Sequence, residues 1–215
     1  MIIHHGYFRS SSSYRCRIAL NLKAVEGYYR PIHLLKDGGQ QNSEAYAALN
    51  PQRLVPAFEL DDGRVLTQSP AILEWIEETY PNPPLLPSCA IDRARVRAFC
   101  AVISCDIHPL QNLRVLQFLT AQFGADQEAK NQWCQRWISD GLAAAEKLLK
   151  NRLSTRFAFG DAPGMAEVYL IPQMYSADRF GVDLTNVPRL CEVAQACGGV
   201  DAFRAAHPSV QADAE

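Results

Sequence analysis

The densest run of chemistry in this chain is Arg9-Ser10-Ser11-Ser12-Ser13-Tyr14-Arg15. Serine hydroxyls at a helix start donate hydrogen bonds where the backbone also presents unpaired N–H groups and the positive end of its dipole. An anion is stabilised there, and a thiol ionises more easily. No cysteine stands at this spot, so a thiolate held here must arrive with a ligand. The alternative is that the serines only cap a helix, and four in a row leave the two readings level. A second signal is Leu54-Val55-Pro56-Ala57, just before a hairpin pattern. A cis bond at such a proline turns the N–H and C=O before it toward a peptide-like ligand. Otherwise it is an ordinary loop proline. The third signal is Gln68-Ser69-Pro70, where serine suits an N-cap and proline the first helical position. Such a helix start would hold a ligand carboxylate, or Ser69 would cap it and do nothing more. Jointly the three describe a groove for a small peptide, with its carboxylate at Ser69 and its thiol at the serines.

Hydrophobic period and chain breakers outline the elements that must position these residues. Residues 2–8 read as a strand, and Tyr14, Ile18 and Leu22 as a helix stripe that Gly27 ends. Residues 28–34 suit a second strand, and residues 44–49 a short helix. Residues 57–60 and 65–67 flank Asp61-Asp62-Gly63, a hairpin signal, and Ile72, Leu73, Ile76 and Tyr80 continue the next helix. This order of βαβ then ββα predicts a thioredoxin-like domain over residues 1–80. The proline-dense stretch 81–87 is a stiff linker. Residues 88–215 read as all-helical, broken at Pro109, with further helices over 165–180, 189–197 and 200–206. The expected fold class is therefore α/β plus all-α.

Bulk properties agree with a two-domain globular chain of 215 residues, 48% apolar and 20% charged. A formal charge of −2 gives no electrostatic reason to expect nucleic acid or an anionic membrane as partner. The seven cysteines form no Cys-x-x-Cys pair and no tight metal spacing, which suits reduced thiols partly filling helix cores; no metal is expected. The start of the chain has neither a basic stretch nor an apolar signal core, so a cytoplasmic location is expected.

The stretch Tyr7-Phe-Arg-Ser-Ser-Ser-Ser-Tyr-Arg-Cys-Arg-Ile-Ala-Leu20 closely resembles the signature of zeta-class glutathione transferases, normally Ser-Ser-Cys-x-Trp-Arg-Val-Arg-Ile-Ala-Leu. The likeness continues through Lys36-Asp-Gly-Gly-Gln-Gln41, Ala48-Leu-Asn-Pro51, Leu54-Val-Pro56, Gln68-Ser-Pro-Ala-Ile72 and Pro84-Leu-Leu-Pro87. In the second half it takes in Pro109-Leu-Gln-Asn-Leu113, Pro172-Gln173 and Arg179-Phe-Gly-Val-Asp-Leu184. It implies an N-terminal thioredoxin-like domain, a C-terminal all-helical transferase domain, a homodimer and glutathione as cofactor. Ser10 and Ser11 would lie at the sulfur, Ser10 first by alignment. Gln41 and Val55 would run along the peptide, with Gln68 and Ser69 at its γ-glutamyl end. His108, Asn112 and Arg114 would approach the tripeptide from the helical domain. Arg9 and Arg179 match carboxylate-binding arginines of maleylpyruvate isomerases, which implies a dicarboxylate substrate.

The implied reaction is the family's cis–trans isomerisation of maleylacetoacetate to fumarylacetoacetate in tyrosine degradation. A thiolate adds to the cis double bond, the bond rotates, and the thiolate leaves. Maleylpyruvate isomerisation in gentisate degradation, general transferase activity and a non-catalytic binding role are the alternatives. Four departures stand out. Ser12 replaces the motif cysteine, and Tyr14 its tryptophan. His108 stands where many relatives carry glutamine, and Cys105-Asp-Ile-His-Pro109 is closer to bacterial maleylpyruvate isomerases. Gly164 lacks the hydroxyl of the usual Thr/Ser-x-x-Asp capping box, an expected cost of roughly 1 kcal/mol or less.

Overall fold

In the computed structural model, which describes residues 1–150 and 155–215, the chain divides into two units. The first is Met1–Pro84 with Val200–Glu215, and the second is Leu85–Gly199. The segment Val200–Glu215, expected with the helical domain, instead packs with the first unit. The reason is a short helix, Asp201–Ala206, whose Phe203 and Ala206 are buried and whose packing partner is the first helix.

The first unit holds a four-stranded sheet in the order β2-β1-β3-β4, formed by Ile2–Gly6 (β1), Gly27–Pro31 (β2), Ala57–Glu59 (β3) and Val65–Thr67 (β4). β1 runs parallel to β2 and antiparallel to β3, and β3 pairs antiparallel with β4. The crossover between β1 and β2 is α1, Ser11–Leu22, so the helix starts at the serines and not at Tyr14. Helix α1 is buried through ten consecutive residues, from Ser11 to Leu20, and packs on α3, Ser69–Thr79. At its end Lys23 donates to the buried Glu77 of α3 at 2.6 Å and to the Pro83 carbonyl at 2.7 Å. Between β2 and β3 lie two single 3₁₀ turns, Lys36–Gly38 and Gln40–Asn42, and α2, Glu44–Leu49. The Val55-Pro56 peptide is cis.

The second unit is helical: α4 (Ala90–Ala101), α5 (Leu113–Phe123), α6 (Gln127–Leu149), α7 (Met165–Arg179) and α8 (Pro188–Gly198); α9 is Asp201–Ala206 in the first unit. The break expected at Pro109 is prepared one turn earlier by a π-helical turn, Val102–Ile107, closed by His108 N–H donating to the Ile103 carbonyl. Ile107 fills the space over Gly141 of α6, where a Cβ would fall 2.2 Å from Ile107 Cγ1. Cys16, Cys100, Cys134 and Cys197 are buried, and none of the seven cysteines is joined in a disulfide. Among the described residues no helix is long and apolar enough to cross a membrane.

The start of α7 explains the missing cap hydroxyl. Met165 N–H donates to the Leu85 carbonyl at 2.8 Å, and this brings Gly164 so close that a Cβ there would lie 2.7 Å from the same oxygen. Glycine is required by that approach. The buried Glu167 carboxylate compensates by accepting from the Gly164 and Ala158 N–H groups at 2.7 and 2.8 Å. Its burial raises its pKa, and those two bonds oppose the rise. Restoring a hydroxyl with Gly164→Ser is therefore expected to destabilise the protein by about 1–2 kcal/mol, because backbone displacement outweighs the gained cap. Denaturant unfolding would read this; a stabilised variant would show that the close approach is not limiting.

Candidate active site

Ser10 is the N-cap of α1, and its Oγ accepts from Ser13 N–H at 3.3 Å. Ser10 and Ser12 share a hydrogen bond of 3.1 Å, and Ser12 donates to the Val55 carbonyl at 3.0 Å. A carbonyl can only accept, so the single proton of Ser12 is committed to Val55. The Ser10–Ser12 bond must then be donated by Ser10. The Ser10 proton thus rests on Ser12 and must turn to serve a sulfur. The Val55 carbonyl, expected to face a ligand, gives one of its two lone pairs to Ser12, because the buried second residue of α1 meets this loop. Ser13 accepts from Tyr7 N–H at 3.4 Å, closing the turn between β1 and α1. Ser11, Ser12 and Ser13 are buried, and Ser10 is half-buried.

Arg9 donates to the Tyr7 hydroxyl at 3.4 Å, and its guanidinium lies over the Tyr7 and Phe8 rings. Gln41 donates to the Leu34 carbonyl at 3.3 Å, while its buried Oε1 has no partner among the described residues. The loop carrying it is stiff: His33 Nδ1 accepts from Leu35 and Lys36 N–H, and Gln40 exchanges two bonds of 2.8 Å with the His33 backbone. Gly39, at φ +91, allows the turn, since a Cβ there would meet both the Gln41 amide and the Leu34 carbonyl.

At the start of α3 the capping residue is Gln68 and not Ser69. Gln68 takes φ 67 and ψ 110, a backbone conformation costly for a residue with a side chain, and its exposed amide bonds Gln52. Ser69, at 3% exposure, is the first helical residue, and its Oγ accepts from Arg15 Nη1 at 3.3 Å. Arg15 is a buried polar residue at this site that sequence reasoning passed over. It is 1% exposed and joins the serine helix to the second helix start. Its place in the quoted signature was the available signal.

The other four expected residues belong to the helical unit. His108 closes the π turn, and Asn112 caps α5 by accepting from Arg114 N–H at 3.2 Å. Their segment is held by Trp133 donating to the Leu110 carbonyl at 2.8 Å and by a buried Gln111–Gln173 amide pair at 2.9 Å. Arg114 is exposed. Arg179 is exposed in the last turn of α7, its guanidinium 4.4 Å from the Phe180 ring centre. No group of three or more His, Cys, Asp and Glu suited to a metal occurs among the described residues.

Residues 5–84 match the family model for the glutathione S-transferase N-terminal domain. The chain is 50% identical to a maleylacetoacetate isomerase of Pseudomonas aeruginosa over 97% of both chains. It is 52% identical to a maleylpyruvate isomerase of a Ralstonia species, over 97% of this chain and 98% of that one. The chain belongs to the glutathione transferase family, in its zeta class. Among solved structures, a holo zeta-class maleylpyruvate isomerase superposes with a TM-score of 0.95 at 50% identity, covering 99% of this chain and 100% of that one. A maleylacetoacetate isomerase from Methylobacterium extorquens AM1, solved with malonate and glutathione, gives 0.94 at 37% identity, covering 99% of each chain. In this zeta-class transferase the serine at position 12 takes a structural duty, bridging the Ser10 cap and the Val55 carbonyl.

Proposed function

We propose that this chain is a glutathione-dependent cis–trans isomerase that converts maleylacetoacetate to fumarylacetoacetate. The serine-capped start of α1 is the observation that carries the reading, in a chain half identical to such an isomerase along its length. Gln41 fits a peptide cofactor, since its buried, unpartnered Oε1 wants an N–H donor and glutathione has amide N–H groups. When bound, glutathione supplies the thiolate that adds to the cis double bond and departs after rotation. Ser10 and Ser11 stabilise that sulfur together with the free N–H groups of α1. Gln41 and the Val55 backbone hold the peptide, while Gln68 and Ser69 hold its γ-glutamyl carboxylate. Because Ser69 Oγ accepts from Arg15, its own proton is left to donate to that carboxylate. His108, Asn112 and Arg114 are assigned to the cofactor on family resemblance. Arg9 and Arg179 are assigned to the substrate carboxylates, which arginine can hold bidentately at any working pH.

Maleylpyruvate is the second reading. The 52% identity with the Ralstonia isomerase and the Cys105–Pro109 sequence favour it. Parallel assays of the two substrates separate the readings, the higher kcat/KM naming the substrate. A cytoplasmic place in tyrosine degradation goes with the first. A homodimer is also proposed. None of the residues of α5 is buried, although Leu113, Val115, Leu116, Phe118, Leu119 and Phe123 are apolar, and such a face suits a second copy. Light scattering at micromolar concentration should return twice the chain mass; a monomer mass counts against it.

Replacing the true thiolate stabiliser, Ser10 or Ser11, with alanine should raise the thiol pKa of bound glutathione. Turnover should fall far more than glutathione affinity. Full turnover at neutral pH in both single variants would remove the serines from the sulfur site.

Arg9→Met and Arg179→Met should each raise the Michaelis constant for dicarboxylate substrates at least about tenfold, on the order of 1.4 kcal/mol. Glutathione affinity should change little. Equal losses on an uncharged transferase substrate would assign both arginines to structure.

A further inference from the structure

Three consecutive residues near the end of the first unit touch segments that carry or flank the proposed glutathione site. Asp213 Oδ2 accepts from Phe8 N–H at 3.0 Å and from the Tyr29 hydroxyl at 3.2 Å. Ala214 packs on the cluster of Tyr7, Phe8, Tyr46, Val55 and Ala57. Glu215 pairs with His33 Nε2 at 3.3 Å and with Lys36, in the loop that leads to Gln41. His33 Nδ1 is occupied as an acceptor of two backbone N–H groups, so the ring proton sits on Nε2, the nitrogen that faces Glu215.

We propose that residues 206–215 act as a clamp that positions the glutathione site, with Asp213 a positioning residue for the serine loop. This rests on the assignment of Ser10 and Ser11 to the sulfur. Phe8 lies two residues before Ser10, and both polar groups of its backbone are tied to the clamp. Its N–H goes to Asp213. Its carbonyl accepts from Arg17 Nη2 at 2.8 Å, and Arg17 Nε donates to the Ala206 carbonyl at 3.0 Å. Arg17 is buried against the Tyr14 and Tyr29 rings, so this second tie is held in place by packing. Tyr29 keeps its proton for Asp213, since burial raises its pKa and the Asp213 charge adds to the rise. The exposed Glu215–Lys36 pair contributes little on its own. Asp213 is different, because a loop free to move by about 1 Å would misdirect hydroxyls that act only at hydrogen-bond range.

The test is Asp213→Ala in the full chain, reading isomerase kcat, KM for glutathione, and thiolate absorbance of bound glutathione against pH. The expected result is a roughly tenfold loss of kcat, a thiolate titration moved to higher pH, and a smaller change in KM. Asp213→Asn keeps an oxygen that can accept from Phe8 and Tyr29, and should retain most of the wild-type values. Should Asp213→Ala not fold, Tyr29→Phe removes the hydroxyl that orients Asp213 and should shift the same titration by a smaller amount. A purely structural role would lower the melting temperature and leave kcat and the titration of the folded variant where they were. That result overturns the clamp while wild-type glutathione binding by calorimetry stands. Absence of wild-type binding overturns the site assignment itself.

Discussion

Helix α1 is buried along most of its length while carrying three serines, two arginines and, at its end, a lysine. Buried polar groups must find partners, because an unpaired one costs about 1–3 kcal/mol and a charge costs more. The first unit is organised by the way this requirement is met. Ser12 reaches the Val55 carbonyl, Ser13 takes the Tyr7 N–H, Arg15 reaches Ser69, and Arg17 binds the Phe8 and Ala206 carbonyls. Lys23 closes the set on Glu77 and Pro83. The partners at Tyr7, Phe8, Val55 and Ser69 belong to a loop or helix start that borders the proposed cofactor site, while Ala206, Glu77 and Pro83 anchor the far end of the helix and its neighbours. Bonds that make burial of α1 tolerable are therefore also bonds that hold the site in shape.

The helical unit solves a related problem at Pro109, which has no N–H and cannot continue α4. A π turn absorbs the mismatch before it, and Asn112 restarts the chain as the cap of α5. The irregular backbone between them is secured by Trp133 and by Gln111 with Gln173, so His108 and Asn112 sit on a braced segment. Gly164 follows the same logic. A local rule for helix capping yields there to a backbone contact with Leu85.

Much of the element order was legible because it depends on neighbours in sequence: the hairpin at Asp61-Asp62-Gly63, the short helix at 44–49, and the break at Pro109 all appear where period and breakers put them. Serines directly before an apolar stripe were enough to mark a helix start that could hold a sulfur, although helical structure began at Ser11 and not Tyr14. The family resemblance added the cofactor and reaction class, because its motifs recur in order along the chain. The cap expected at Ser69 lies one residue earlier, at Gln68, and Ser69 as first helical residue accepts from Arg15, fifty-four positions away in sequence. The bond from Ser12 to the Val55 carbonyl was invisible for the same reason, forty-three positions separating the two.

Sequence alone therefore determined the two-part architecture, the serine-capped helix and the kinship to glutathione-dependent isomerases, all of which rest on local pattern or ordered motifs. Tertiary structure decided which way protons and lone pairs are committed within the serine cluster. It also decided that Gly164 must be glycine and that residues 200–215 return to the first unit. Those outcomes depend on which distant polar groups come within hydrogen-bond range once apolar faces are buried, and sequence spacing carries no such distance.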